Sequence, residues 1–134
     1  MSDITAGLQA LGVLPDHTHT EVFGAGPSRT PGVVAPPRRP PHLPVGSSAT
    51  GALVSFARSG LNVRWNTTFN SLLELAEACD VPVRWSCRTG VCHSCETGLV
   101  AGTIGYRPDP VDPPAEGNVL ICCSRPESDI VIDL

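Results

Sequence analysis

Residues 51–134 read as an α+β fold, one helix packed over a mixed sheet, and three observations predict it. Leu53-Val54-Ser55-Phe56-Ala57-Arg58 and Leu61-Asn62-Val63-Arg64-Trp65 alternate apolar and polar residues on either side of Ser59-Gly60, the pattern of a hairpin. Ser71-Leu72-Leu73-Glu74 has the form of a capping box and opens a helix. Val119-Leu120-Ile121-Cys122 and Asp129-Ile130-Val131-Ile132-Asp133 then return as short apolar runs, which suits buried strands.

The elements follow in chain order. Residues 1–24 form a first segment. Asp3 to Gly12 reads as a short helix with Ile4, Leu8 and Leu11 on one face, and Thr18 to Gly24 reads as a strand. One helix and one strand bury too little surface to fold alone. Residues 25–50 form a second segment rich in proline, from Pro27 to Pro44, without the periodicity of a core. It reads as a flexible linker that spans roughly 80 Å at about 3.1 Å per residue. Pro36-Pro37-Arg38-Arg39-Pro40-Pro41 also has the composition of a proline-motif ligand, a weaker reading.

Residues 51–134 form the third segment. After the hairpin, the helix runs from Ser71 to about Cys79, with Leu72, Leu75, Ala76 and Cys79 on its buried side. Thr97 to Gly102 reads as a strand ending in a turn. Arg107 to Gly117, rich in Pro and Asp, reads as a surface loop. The run at Asp129–Asp133 closes the sheet.

Composition narrows the function classes. The formal charge of −4 is too mild to hold nucleic acid by bulk attraction. No apolar run approaches about 18 residues, so no membrane span is expected. No basic, apolar and small-residue sequence marks a signal peptide. A reducing cytoplasm and a monomer are the expected setting. Six cysteines could make a disulfide scaffold, but Cys87, Cys92 and Cys95 are too crowded for staples.

Those three cysteines carry the chemistry. The spacing C-x4-C-x2-C, followed by a distant cysteine near position 122, is the ligand set of a [2Fe–2S] cluster. Each iron takes two thiolates, and one tight loop can present three corners of the cage while the fourth comes from elsewhere. A loop curled that closely needs a position without a Cβ, and Gly90 supplies it. Ser86, Arg88, Thr89, Val91 and Ser94 can then aim backbone N–H groups at sulfur. The hydroxyls of Ser86, Thr89 and Ser94 are lesser donors. Such donors stabilise the reduced, more negative state.

Other readings compete. Structural zinc prefers paired C-x2-C knuckles, and only Cys92 and Cys95 form one. A Rieske centre needs two histidines, whereas His93 beside Cys92 reads as a solvent-facing loop residue. A thioredoxin-like C-x-x-C lacks a βαβ lead-in. Cys79 reads as a small buried hydrophobe. Cys122 and Cys123 are neighbours, and adjacent strand residues face opposite sides, so position alone does not choose the fourth ligand.

Ser86-Cys87-Arg88-Thr89-Gly90-Val91-Cys92-His93-Ser94-Cys95 resembles the cluster loop of plant-type [2Fe–2S] ferredoxins. Ile121-Cys122-Cys123-Ser124-Arg125-Pro126-Glu127-Ser128-Asp129 resembles the segment that carries their fourth ligand, four residues before the proline of a P-x-S-D turn. The resemblance covers residues 51–134. It implies a β-grasp fold and places the ligand at Cys122. It also implies that Cys87 and Cys92 hold one iron while Cys95 and Cys122 hold the other.

The chain is similar in particular to the C-terminal ferredoxin module of phthalate dioxygenase reductase-like proteins, where residues 1–24 resemble the end of an NAD domain. The proline-rich segment is longer than that family's pattern. The resemblance implies a one-electron carrier. It would be fed by a reduced flavin whose hydride came from NAD(P)H, with the flavin and nucleotide sites lying upstream or in a partner flavin reductase. The acceptor would be an oxygenase or another redox protein. Nothing in the chain reads as a nucleotide-binding glycine loop or a substrate pocket of its own. A non-redox β-grasp interaction module is the rival from another class. Arg88 would tune the cluster, contact the partner or simply meet solvent, and Trp85 would pack beside the loop.

Overall fold

The computed structural model describes residues 10–12, 33–34, 39–46 and 48–134. The helix read at 3–12 and the strand read at 18–24 lie outside the described residues, apart from 10–12.

Strand β1 (Val33–Val34) is short and pairs with β4 (Arg84–Trp85) in antiparallel register, Val33 opposite Trp85 and Val34 opposite Arg84. Strands β2 (Leu53–Phe56) and β3 (Leu61–Arg64) form the expected hairpin, with Leu53 opposite Arg64 and Phe56 opposite Leu61. Alternation decides their faces: Val54, Phe56 and Val63 are buried, while Asn62 and Arg64 face solvent.

Helix α1 (Leu72–Ala78) starts where the sequence places it. The Ser71 hydroxyl accepts the Glu74 N–H at 3.3 Å. The return half of the capping box differs from expectation. The Glu74 carboxylate passes Ser71 and takes the Asn70 N–H at 2.8 Å. Leu72, Leu73, Leu75 and Ala76 are buried, and Cys79 closes the helix. Its carbonyl accepts the His42 N–H at 2.9 Å, which satisfies one of the orphan acceptors of the helix end.

The main sheet has five strands in the order β3, β2, β9 (Ile130–Ile132), β5 (Glu96–Ala101), β7 (Asn118–Leu120). Strand β9 runs parallel to β2 and antiparallel to β5. The run expected to close the sheet therefore forms its centre. Ile130 and Ile132 are both within 1 % of complete burial, as suits a strand paired on both sides. A separate two-stranded ribbon pairs β6 (Ile104–Tyr106) with β8 (Ser124–Pro126). One buried cluster, including Phe56, Leu72, Leu75, Leu120, Ile121 and Ile132, holds helix and sheet together. Each such side chain contributes on the order of 1.5–3 kcal/mol by leaving water. Among the described residues, no helix is long and apolar enough to cross a membrane.

Candidate metal centre

The loop from β4 to β5 carries Cys87, Cys92 and Cys95, and the turn after β7 carries Cys122. Three left-handed residues curl this loop: Arg88 (φ 60°), Gly90 (φ 75°) and His93 (φ 59°). Gly90 was expected from the sequence. A Cβ there would lie 2.9 Å from the Cys123 Sγ and 3.2 Å from the Pro110 Cα, so the position needs glycine on steric as well as torsional grounds. Arg88 and His93 carry a conformation that costs on the order of 1–3 kcal/mol, and it persists because partners hold them.

Those partners are visible. The Arg88 guanidinium pairs with the Glu77 carboxylate of α1, with Nη1 3.1 Å from Oε2. It also lies 4.0 Å over the Trp85 ring. His93 is not the solvent-facing residue its sequence context suggests. Its Nδ1 lies 3.0 Å from the Glu96 Oε2, and its Nε2 lies 3.1 Å from the Asp112 carbonyl oxygen. Glu96 also accepts the Ala115 N–H at 2.9 Å and the Asn118 Nδ2–H at 2.8 Å. Burial works to raise the Glu96 carboxyl, but Asn118, Ala115 and His93 together hold it below the usual carboxylate range. Sequence reasoning missed this brace of the 107–117 loop. The three-residue spacing of His93 and Glu96 was the available signal.

The sulfurs are arranged in two pairs. In the first, Cys87 Sγ accepts N–H groups from Thr89 and from Cys92, both at 3.4 Å. Cys92 Sγ accepts N–H groups from Cys87 and from Ser94, both at 3.5 Å, and lies 3.3 Å from the Ser94 Oγ. Burial alone would raise the Cys87 thiol. The Thr89 hydroxyl and the N–H groups of Thr89, Cys92 and Val91 outweigh it and bring the pKa down to about 6. In the second pair, Cys95 and Cys122 are both buried and hydrogen-bonded to each other. The Cys95 thiol lowers Cys122 to about 7 against its burial, with help from the Gly90 N–H. Cys95 is correspondingly raised, because it holds the shared proton and is buried.

The structure thus brings Thr89, Gly90 and Ser94 to the sulfurs. Ser86 is exposed at the start of the loop, and the Arg88 side chain turns to Glu77. Cys123 is buried beside Cys122, and burial pushes its thiol up to about 12. Cys79 lies apart in the core, where burial and the Asp80 charge push it up to about 11. All six thiols are free of disulfides.

This donor set fits a two-iron cluster. Among the described residues, no three His, Cys, Asp or Glu side chains gather around one metal-ion position. Two thiol pairs, with N–H groups already aimed at sulfur, suit a cluster whose four ligands are shared between two metals.

Comparison with known proteins agrees. The pattern of the 2Fe-2S iron-sulfur cluster binding domain matches residues 56–127. The chain belongs to that family. Its cofactor is a [2Fe–2S] cluster, and its chemistry is electron transfer. It is 35% identical over 83 residues to the uncharacterized ferredoxin-like protein YfaE of Escherichia coli K12, covering 62% of this chain and 99% of YfaE. It is 35% identical over 92 residues to the NADH oxidoreductase HCR of the same organism, covering 66% of this chain and 29% of the oxidoreductase. Phthalate dioxygenase reductase, solved as a modular structure for electron transfer from pyridine nucleotides to [2Fe–2S], matches with a TM-score of 0.54 and 27% identity. That match covers 100% of this chain and 38% of the reductase. The chain therefore spans nearly all of YfaE but well under half of either reductase. The mixed sheet with its single helix is the ferredoxin-type arrangement that the sequence predicts.

Proposed function

We propose that Cys87 and Cys92 hold one iron of the cluster and that Cys95 and Cys122 hold the other. The observation that supports this reading is the grouping of the thiols: Cys87 and Cys92 share reciprocal N–H···S bonds within one loop, and Cys95 and Cys122 are both buried in the core. When bound, the cluster supplies a one-electron couple. The protein's part is to hold four thiolates and to point N–H groups of Thr89, Gly90, Cys92 and Ser94 at them, which stabilises added negative charge.

The electrons come, in this proposal, from a reduced flavin that received hydride from NAD(P)H, and go to an oxygenase or another redox protein. Its support is the likeness to an NADH oxidoreductase and to phthalate dioxygenase reductase. The flavin and nucleotide sites belong to a reductase domain or partner. Residues 51–134 carry ten acidic side chains against six arginines, which steers the domain toward basic surfaces. Outside Val33–Val34, which pair with β4, and residues 39–42, which are held to Cys79 and Asp80, residues 25–50 serve as a spacer, and residues 1–24 serve as the end of the donor domain. A spacer of this kind raises the effective concentration of donor and acceptor. The cytoplasm is the proposed compartment, since it keeps thiols reduced, and a monomer is the proposed state.

The test is spectroscopic. Purified without oxygen, the protein is expected to be red-brown, with two irons per chain and visible absorption that bleaches on dithionite reduction. The expected potential is of the order of −400 mV. Cys122→Ser is expected to lose the cluster. A colourless, fully folded protein that takes up no iron would overturn the reading.

A further inference from the structure

We propose that Val33–Val34 and Arg39–His42 act together as a two-point strap, which carries the chain across the domain so that its upstream side departs beside the cluster loop. For what the strap delivers, the proposal rests on the reading of that upstream side as the donor.

The sheet shows where the chain would otherwise depart. Strand β2 begins at Leu53, whose N–H donates to the Asp129 Oδ1 at 2.7 Å. Val54 pairs with Ile130 and Phe56 with Ile132, while Ile132 and Val131 pair with Leu99 and Ala101 of β5. The start of β2 therefore lies toward the Ala101 end of β5, and Cys95 precedes the opposite end. A chain running straight off Leu53 leaves the sheet at the end remote from Cys95. Instead it is held twice. The His42 N–H bonds the Cys79 carbonyl at 2.9 Å, and Asp80 takes the His42 Nε2–H at 2.7 Å and the Arg39 Nε–H at 3.2 Å. Val33 then pairs with Trp85, two residues before Cys87. Among the described residues, β1 is the only strand paired with β4, so it covers a backbone edge at the entry to the cluster loop. Neither hold is strong alone. A pair of two-residue strands is not stable by itself, and the Arg39 side chain is 66% exposed, which weakens its ion pair. Only four residues separate Val34 from Arg39, so each contact raises the effective concentration of the other. The two holds therefore form and release as one. Docked, the strap keeps what precedes Val33 on the cluster side of the domain; released, it returns the point of departure to Leu53.

The experiment uses the full chain and two double variants. Arg39→Ala with His42→Ala removes the side chains that hold Asp80, and Val33→Pro with Val34→Pro removes both N–H groups of β1. Amide hydrogen exchange is read at Val33, Val34, His42, Arg84 and Trp85, with Leu99, whose N–H bonds the Gly117 carbonyl at 2.9 Å, as the control for an intact sheet. The unchanged protein is expected to protect at least one of the pairs Val33 with Trp85 and Val34 with Arg84. The Arg39 and His42 variant is expected to lose that protection, and the proline variant to quicken exchange at His42, with Leu99 unchanged in both. Free-chain exchange at Val33 and Val34 in the unchanged protein would overturn the proposal. So would variants in which breaking one hold leaves exchange at the other as it was. A second measurement reads the point of departure: dithionite reduction of the cluster is expected to broaden the Val33 and Val34 amide signals more than that of Leu53, and equal or weaker broadening would also overturn the strap. If reduction broadens no amide, Thr89 included, the cluster reading falls, and the exchange rates still decide the strap. Neither measurement uses an electron-donor protein, so failure of the donor reading leaves both unchanged.

Discussion

The N–H of Leu73, in the first turn of α1, donates to the carbonyl of Ile121 over 2.9 Å. This bond satisfies one orphan donor of the helix and fixes the residue immediately before Cys122. The start of the helix and the fourth cysteine are therefore one structural unit. Whatever loosens the helix cap also loosens the turn that presents Cys122.

Ser71→Ala tests that coupling. It removes the acceptor of the Glu74 N–H and is expected to cost about 1 kcal/mol of stability. The same variant is expected to release iron to a chelator faster than the unchanged protein. Denaturant unfolding reads the first effect and loss of visible absorption reads the second. A destabilised variant with unchanged iron release would separate the cap from the cysteine turn.

Gly90 makes a second prediction. Gly90→Ala places a Cβ at a φ of 75° and against the Cys123 sulfur and Pro110. The torsion alone costs on the order of 1–2 kcal/mol, and the contacts add to it. The variant is expected to bind less iron. Combining it with Cys123→Ala removes the sulfur contact but not the torsion, so iron content is expected to recover in part. Full recovery would mean the torsion is harmless; none would mean the sulfur contact is.

Arg88 ties the cysteine loop to the helix through Glu77 and covers Trp85. Both members of the ion pair are about a third exposed, so solvent and salt weaken it. Glu77→Gln is expected to cost no more than about 1 kcal/mol. Arg88→Ala also loses the cation–π contact, worth about 0.5–1 kcal/mol at such a site, and is expected to cost more. A double-mutant cycle at low and high salt separates the two contributions, and only the pair's share should shrink with salt.

Much of this domain was legible because its signals are local. Ser59-Gly60 turns the hairpin, Ser71 caps the helix, and the cysteine spacing announces the cluster. The features that escaped depend on distant partners. The left-handed backbone of Arg88 is held by Glu77 and Trp85, and that of His93 by Asp112 from the far side of the next loop. Ile130-Val131-Ile132 reads locally as a buried strand. Its place at the centre of the sheet is set by parallel pairing with β2, to which no neighbouring residue points. The β6–β8 ribbon is missed because three-residue strands containing Gly105, Arg125 and Pro126 carry no alternation.

The end of α1 gives a prediction in pH. Asp80 receives the His42 Nε2–H at 2.7 Å and the Arg39 Nε–H at 3.2 Å, while the His42 N–H bonds the Cys79 carbonyl. These contacts clasp residues 39–42 to the domain. The hydrogen bond from His42 holds the Asp80 carboxyl below the usual carboxylate range; burial opposes the shift and the Arg39 charge adds to it. The folded carboxyl therefore titrates below the unfolded one, whose ordinary value is about 4. The clasp contributes in full above that value and loses its contribution as pH falls through the lowered folded value. Hydrogen exchange of the His42 amide is expected to quicken over this acidic window, and Asp80→Asn is expected to remove the step. A His42 amide that exchanges at the same rate in Asp80→Asn as in the unchanged protein, on both sides of the window, would show that the carboxylate does not close the clasp.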